Sequence, residues 1–506
     1  MKRSPQEFLP RIFLVVFLLF WMSVCVVVCT KNPLGIIIMA VFTFGVLILL
    51  GQVLEKLDRI PPVWFWFIFG VLTFLFFLST TNFALAARIG LPSDTDIVYD
   101  SVADLLRDGQ LNELNPKFDL YYPGIGLKTN SDYFCMYYNN IALLALLAGV
   151  YWIVGDTYIA GTVEGQTPAL VFTALCVLLT VLLLCYIAYR ITHKRSTALF
   201  TLILCIIFQP FYYGIPNFYT DVIVFPFAIG GIAALTEFYV SKRKPWLAVA
   251  GTFFSLAICI KVTAGIFVIA AGIVLLLDQL KVREKLIQLL WMGLPVLVVI
   301  VAFRIWTVQC GWFDFSRKEE LAMPWQLWLC FGGRGVGYNY EDALAAATTA
   351  ASQRSAMLWQ RLWDTYTNYS FRDLVELEIT KIAATWNDGR FETAVYTLWP
   401  AVSNWSRTFT QPQETSYQIL FCFGQIYIIV LYFILALTAW KQLYNSRISS
   451  PLFFCTLSVF GFVAYLMLFE TAARRALLVM PLLIIVGGCI LTDSHWKKWG
   501  EKVKNG

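Results

Sequence analysis

Residues 80–138 read TTNFALAARIGLPSDTDIVYDSVADLLRDGQLNELNPKFDLYYPGIGLKTNSDYFCMYY, a polar stretch between long apolar runs. Asp94 and Asp96 stand one residue apart just after the turn signal Pro92-Ser93. Val98, Val102, Leu105 and Leu106 then recur at helical spacing with charges on the other side, and Gly109 is placed to end the helix. Almost everything outside this stretch is apolar. Hydrophobic residue types make up 59% of the 506 residues and charged ones 14%. A soluble chain carries about a quarter charged residues, so the composition predicts an all-α polytopic membrane protein.

The N-terminal MKRSPQEFLPR is basic, which favours a cytoplasmic start. The first apolar run continues past the length of a signal-peptide core and lacks a small-residue cleavage site, so no cleaved leader is expected. Runs of about 20 apolar residues match a bilayer core and predict spans near 11–30, 34–54 and 62–80, leaving 81–135 outside. The next run, 141–154, is short. Counted as a span, it would put Arg190, His193, Lys194 and Arg195 outside, against the positive-inside tendency. Laid along the outer interface as a helix at 137–154, it returns them to the inside, with Lys242, Arg243, Lys244, Lys281, Arg283 and Lys285.

That second reading continues with spans near 166–189, 197–213, 221–239, 246–260, 262–278, 285–304, 417–439, 451–469 and 476–492. The total is about twelve, with both termini in the cytoplasm. The chain divides into an N-terminal two-helix addition (1–60), a transmembrane core (61–304), an extracytoplasmic region (305–416) and C-terminal transmembrane helices (417–506). No short-period repeat or soluble domain is visible.

Several chemistries are disfavoured. The two histidines, His193 and His495, both fall inside, so a Ser-His-Asp hydrolase or a histidine metal site on the outer face is not expected. The twelve cysteines contain no Cys-x-x-Cys pair and lie mostly in apolar runs. The net charge of +6 sits at membrane boundaries and does not point to nucleic acid.

The outer face collects Asp94, Asp96, Asp100, Tyr219, Asp221, Lys261, the aromatic and glycine-rich 323–342, Lys381, Asp388, Glu470, Arg474 and Arg475. Ionisable groups near membrane depth are costly and mark candidate sites. Each also has a plain reading. The acids at 94, 96 and 221 suit helix N-termini, and Lys261 suits snorkelling. Glu470 and Arg474 have i, i+4 spacing. Gly332, Gly333, Gly335 and Gly337 read as a loop, because no strand precedes them. The sequons at Asn368 and Asn404 are chance-level matches.

In combination these features resemble the GT-C superfamily of membrane glycosyltransferases, which includes protein O-mannosyltransferases and lipid A aminoarabinose transferases. The resemblance is carried by PSDTDIVYDSVADLLRDG (92–109), YFCMYYNNIALLALLAGVYWIVG (133–155), NFYTD (217–221) and FETAARRALLVMP (469–481). Tyr138 stands where proline is usual in the family and Arg475 where tyrosine is usual.

The resemblance implies an enzyme that takes a sugar from a polyprenyl phosphate to a cell-envelope acceptor at the outer face of a bacterial plasma membrane. It implies Asp94, or its competitor Asp96, as general base. Arg474, with Arg475, Lys261 or Arg334, is the expected phosphate ligand. Glu470 is expected to orient Arg474, with Tyr219, Asp221, Tyr138 and Asn139 in support. The 324–340 loop is expected to cover the site. No cofactor is assigned, and a divalent metal is compatible with the acids. The competing readings are a transporter or flippase, and a polymerase or ligase for a lipid-linked glycan.

Overall fold

The computed structural model describes residues 8–88, 93–111, 114–121, 123–155, 164–278, 280–312, 315–393, 404–445 and 448–492. The basic N-terminus, Pro92, Arg447 and the tail with His495 lie outside these residues. The principal helices, in chain order, begin with α1 Phe8–Lys31, α2 Leu34–Glu55, α3 Pro62–Ala86, α4 Ser93–Asp108, α5 Asn130–Met136 and α6 Ile141–Val154. Next come α7 Thr167–Thr192, α8 Arg195–Ile207, α9 Phe225–Ser241, α10 Pro245–Ile260, α11 Gly265–Leu277 and α12 Val282–Gln309. Then follow α13 Gln326–Arg334, α14 Tyr340–Thr348, α15 Ala351–Asn368 and α16 Phe371–Trp386. The series closes with α17 Thr415–Tyr444, α18 Ser450–Leu468 and α19 Met480–Leu491.

Nine helices among the described residues are long and apolar enough to cross a bilayer: α1, α2, α3, α7, α9, α12, α17, α18 and α19, with α9 and α19 each extended by the short turn before it. The runs expected at 197–213, 246–260 and 262–278 form the shorter apolar helices α8, α10 and α11. Helix α8 stops at Ile207 because Pro210 cannot continue it, and the chain makes a one-turn helix at Pro210–Tyr213. Helices α10 and α11 part at Lys261, whose backbone is extended at φ −146° and ψ 107°.

The N-terminal helices are packed into the bundle. Leu14, Phe17, Trp21, Val24 and Val28, spaced three or four residues apart, are all buried. Trp21 Nε1 donates to the Tyr432 carbonyl at 3.0 Å. The Trp21 ring meets Trp386 and Tyr432 edge-on at 5.4 and 5.3 Å.

Charge separates along the bundle. At one end Lys194 pairs with Glu55 at 2.8 Å and Lys244 with Glu284 at 2.8 Å. There too Asp58 accepts from the Ser196 amide at 2.8 Å. The opposite end carries Asp94 and the start of α7, where Arg88 donates to Thr167 at 2.6 Å. Helix α5 and the segment Tyr138–Val154 meet there at 115°. Near its start, Tyr138 lies 3.3 Å from Thr307, in the last turn of α12. Near its end, Tyr151 donates to the Gly165 carbonyl at 2.5 Å, just before α7. Both ends of α6 therefore lie at the Asp94 end of the bundle. An interfacial helix at 137–154 is what the charge distribution along the sequence leads one to expect.

Reporters fused at Lys128 and at Gln166 should then report the same side of the membrane in whole cells. Opposite sides would make α6 a span and reverse the sidedness of everything before it.

Candidate active site

The sequence TNSD at 129–132 is a capping box. Thr129 Oγ1 accepts from the Asp132 amide at 3.2 Å and Asp132 accepts back from the Thr129 amide at 3.2 Å. The box fixes where α5 begins, and so aims Tyr133 and Tyr137, one turn apart, into the bundle end. Tyr133 donates its hydroxyl proton to Asp94 Oδ1 at 2.9 Å. The Tyr219 hydroxyl donates to Asp94 Oδ2 at 3.0 Å. Asn140 Nδ2 donates to the Tyr133 oxygen at 2.6 Å, which leaves the phenolic proton for Asp94. Asn139 Nδ2 in turn donates to the Asn140 carbonyl oxygen at 2.8 Å. On the far side, Thr95 donates to Asn217 at 2.8 Å and so docks the start of α4 beside Tyr219.

Asp94 is therefore a carboxylate with each oxygen held by a phenol. Tyr137 and Tyr338 complete the polar wall. Burial first, and then the negative charge of Asp94, push the Tyr137 phenol well above its ordinary range. Burial raises Tyr338 to about 12, with Tyr340, Asp94 and Glu470 adding to it. Both phenols stay protonated donors at neutral pH.

Cations line the other side. The Arg474 guanidinium lies 5.9 Å from the Tyr219 ring centroid. Arg475 pairs with Glu470 and lies 5.6 Å from the Trp328 ring centroid. Lys261 pairs with Asp221, and both are less than a tenth exposed. Arg474 and Arg475 are within electrostatic range of that pair. Glu392 accepts from the Ala473 amide at 3.0 Å, immediately before Arg474. Burial raises its carboxyl above the usual range, opposed by that amide and by Arg474.

The 324–340 segment closes over this centre. The Gly337 amide donates to the Thr471 carbonyl at 2.8 Å from a backbone with φ +82°, which favours glycine. The Tyr340 hydroxyl donates to the Pro123 carbonyl at 2.5 Å. Trp328 and Tyr338 thus face Arg475 and Tyr137 from one piece of chain.

Four sequence-derived assignments are rearranged. Asp96 points away from Asp94 and pairs with Lys117 at 2.9 Å, which also holds Asp100 at 2.7 Å. Residues two apart on a helix do not share a face. Arg334 pairs with the fully buried Asp342 at 2.8 Å, and Arg361 holds the other carboxylate oxygen at 2.6 Å. Arg334 thus belongs to the small core of Leu327, Phe331, Ala343 and Leu358. Tyr138 turns toward α12, with Arg304 4.8 Å from its ring. Glu470 pairs with Arg475, because the chain is not helical between Glu470 and Ala472 and the i, i+4 rule has no footing there. Tyr133, Tyr137, Asn140, Tyr338 and Glu392 were not singled out from the sequence. The capping box was the available signal for the first two.

Among the described residues no group of three or more His, Cys, Asp or Glu side chains is arranged to hold a metal ion. Asp96 and Asp100 share Lys117.

Comparison with known proteins adds a family. Residues 139–306 match the model of the dolichyl-phosphate-mannose-protein mannosyltransferase family. The match takes in Asn139, Tyr219, Asp221 and Lys261 and leaves out Asp94, Glu470 and Arg474. A search of curated proteins returns no match. Among solved structures, the chain is similar to an Archaeoglobus fulgidus oligosaccharyltransferase crystallised with Zn and sulfate. That likeness has 13% identity and a TM-score of 0.42, over 85% of this chain and 50% of that one. A second structure is AglB, the oligosaccharyltransferase of the same archaeon, with an inhibitory peptide and a dolichol-phosphate. It has 12% identity and a TM-score of 0.42, over 86% of this chain and 51% of that one. A third is ArnT from Cupriavidus metallidurans bound to undecaprenyl phosphate, with 11% identity and a TM-score of 0.34, over 84% of this chain and 77% of that one. The chain spans about half the length of the archaeal enzymes.

Replacing Arg334 by Gln should lower the thermal unfolding midpoint, by the equivalent of about 1–3 kcal/mol for a buried carboxylate that loses one of its two cations. An unchanged midpoint would show that Arg334 does not hold Asp342 in place. The family match over 139–306 bears out the resemblance of this chain to membrane glycosyltransferases of the GT-C superfamily.

Proposed function

We propose that the protein transfers a sugar from a polyprenyl phosphate to a hydroxyl of a cell-envelope acceptor, at the outer face of a bacterial plasma membrane. One observation carries the reading. Tyr219 bonds Asp94 through its hydroxyl and lies under Arg474 through its ring, so a base and a cation share one side chain. That spacing suits an acceptor hydroxyl at one end and a leaving phosphate at the other.

The acceptor hydroxyl gives its proton to the Asp94 carboxylate while its oxygen attacks the anomeric carbon. The bond from that carbon to the phosphate oxygen breaks, and the lipid phosphate leaves with the electron pair. Arg474 meets the developing phosphate charge, with Arg475 and Lys261 adding positive potential from their ion pairs. Tyr133 and Tyr219 hold the carboxylate in place, and Asn140 fixes the direction of the Tyr133 proton. Trp328 and Tyr338, on the overlying segment, offer faces for a sugar ring. The solved structures with dolichol-phosphate and undecaprenyl phosphate agree with a lipid-linked donor but do not carry the reading.

A general base contributes roughly 10²–10⁴-fold to rate. Asp94→Asn should lower turnover by that order on purified protein with donor still bound, whereas Asp96→Asn should lose stability more than turnover. Near-normal turnover in both, or transport of the lipid-linked sugar without a glycosyl product, would remove this reading.

Arg474→Lys keeps the charge but loses the planar fork. It is expected to lower turnover at unchanged expression, with Arg474→Ala lower still. Wild-type turnover in Arg474→Ala would hand the phosphate to Arg475 or Lys261.

A further inference from the structure

Among the described residues four basic side chains are less than a tenth exposed: Lys261, Arg354, Lys381 and Arg390. Three of them are matched by charge or carbonyl. Lys261 has Asp221. Lys381 donates to the carbonyls of Gly332 and Met467. Arg354 donates to the carbonyls of Ala322, Glu320 and Thr349.

Arg390 differs. Its Nε and Nη1 are buried with no hydrogen-bond partner. Its guanidinium lies 4.0 Å from the Tyr417 ring centroid and 4.9 Å from that of Phe421. The Tyr213 hydroxyl, which donates to the Phe409 carbonyl at 2.9 Å, is its polar neighbour. The nearest acids in sequence are spent elsewhere. Asp388 accepts from the amides of Arg390 at 3.0 Å and Glu392 at 2.7 Å. Glu392 accepts from the Ala473 amide.

A buried cation without a partner is costly, because neither water nor a counter-charge replaces its hydration. Stacking on Tyr417 offsets part of that cost and leaves the edge nitrogens free. The turn is held firmly in spite of the cost. Phe391 and Glu392 both adopt positive φ, 51° and 57°, which L side chains rarely do. Gly389 packs directly on Gly424 of α17.

The surroundings identify the missing partner. Tyr417 lies in the first turn of α17, whose N-terminus has no side-chain cap, so the helix dipole adds positive potential. An anion would find a cation and a helix N-terminus together there.

We propose that Arg390, with the first turn of α17, forms an anion subsite separate from Arg474, and that it takes the phosphate of a lipid or a free phosphate. The proposal needs no sugar transfer, so it is read by binding alone and stands or falls apart from the reaction above.

The experiment measures binding of farnesyl phosphate, farnesol and inorganic phosphate to the full-length protein in a neutral detergent. An Arg474→Ala background isolates the second subsite. Farnesyl phosphate should still bind there, and adding Arg390→Gln should weaken it about tenfold or more. Arg390→Lys should recover part of the loss. Unchanged binding on Arg390→Gln would overturn the subsite. Inorganic phosphate binding as tightly as farnesyl phosphate would overturn the lipid source. Should Arg390→Gln fail to fold, modification of Arg390 by phenylglyoxal in the otherwise native chain decides the matter. Protection by farnesyl phosphate but not by farnesol is expected. Equal labelling with both would end the proposal.

Discussion

The contact between Tyr219 and Asp94 ties together parts of the chain that are far apart in sequence. Asp94 belongs to the first polar loop, Tyr219 to the turn after α8, and the Arg474 beside the Tyr219 ring to the segment before α19. A carboxylate near membrane depth needs donors, and here both are phenols whose protons are already committed by geometry. That requirement constrains much else. The capping box must place Tyr133 at the right turn, Asn140 must stand beside it, and Thr95 must bond Asn217 so that α4 cannot drift from Tyr219.

The cations obey the same constraint with opposite sign. Two positive groups at this end of the bundle each have an acidic partner. Lys261 has Asp221 and Arg475 has Glu470. These pairs cost desolvation and repay it only with good geometry. Their value is positional: they hold positive potential around a centre whose other wall is acidic and phenolic. Helices α13, α14 and α15 follow the rule too, since Asp342 is wholly buried between two arginines.

Hydropathy made the long spans legible, and the basic residues at Lys194, Arg195 and Lys244 gave the bundle its polarity, because both signals are local and additive. What stayed hidden depended on local geometry or on distant partners. Asp94 and Asp96 look equivalent as letters, yet a helix sends them to different faces, one to Tyr133 and one to Lys117. Glu470 and Arg474 look like a helical pair, but helix starts only at Ala473. Arg334 looked like a free cation in a glycine-rich loop, and no local pattern announces that Asp342 will fold back onto it. The shortening of α8 was readable from Pro210, had its effect on a span been weighed.

The N-terminal helices change meaning when packing is considered. From sequence, residues 1–60 look like an addition to a core that starts later. In the structure, Trp21 of α1 sits between Trp386 and Tyr432, and the Tyr432 hydroxyl donates to the Trp386 carbonyl at 3.0 Å. Asn32, just after α1, donates to Asn387 at 2.5 Å, and Gln425 of α17 donates to the Asn387 carbonyl at 2.8 Å. Asn387 opens the turn that carries Asp388, Arg390 and Glu392. The first helix therefore braces the strained turn from below while α17 closes it from the side. A turn with two residues at positive φ persists only where its surroundings over-determine it, and here α1 supplies part of that determination. Removing the first two helices would leave the later spans hydrophobic enough to insert, but would release the turn that presents Arg390 to Tyr417 and Glu392 to the Arg474 segment.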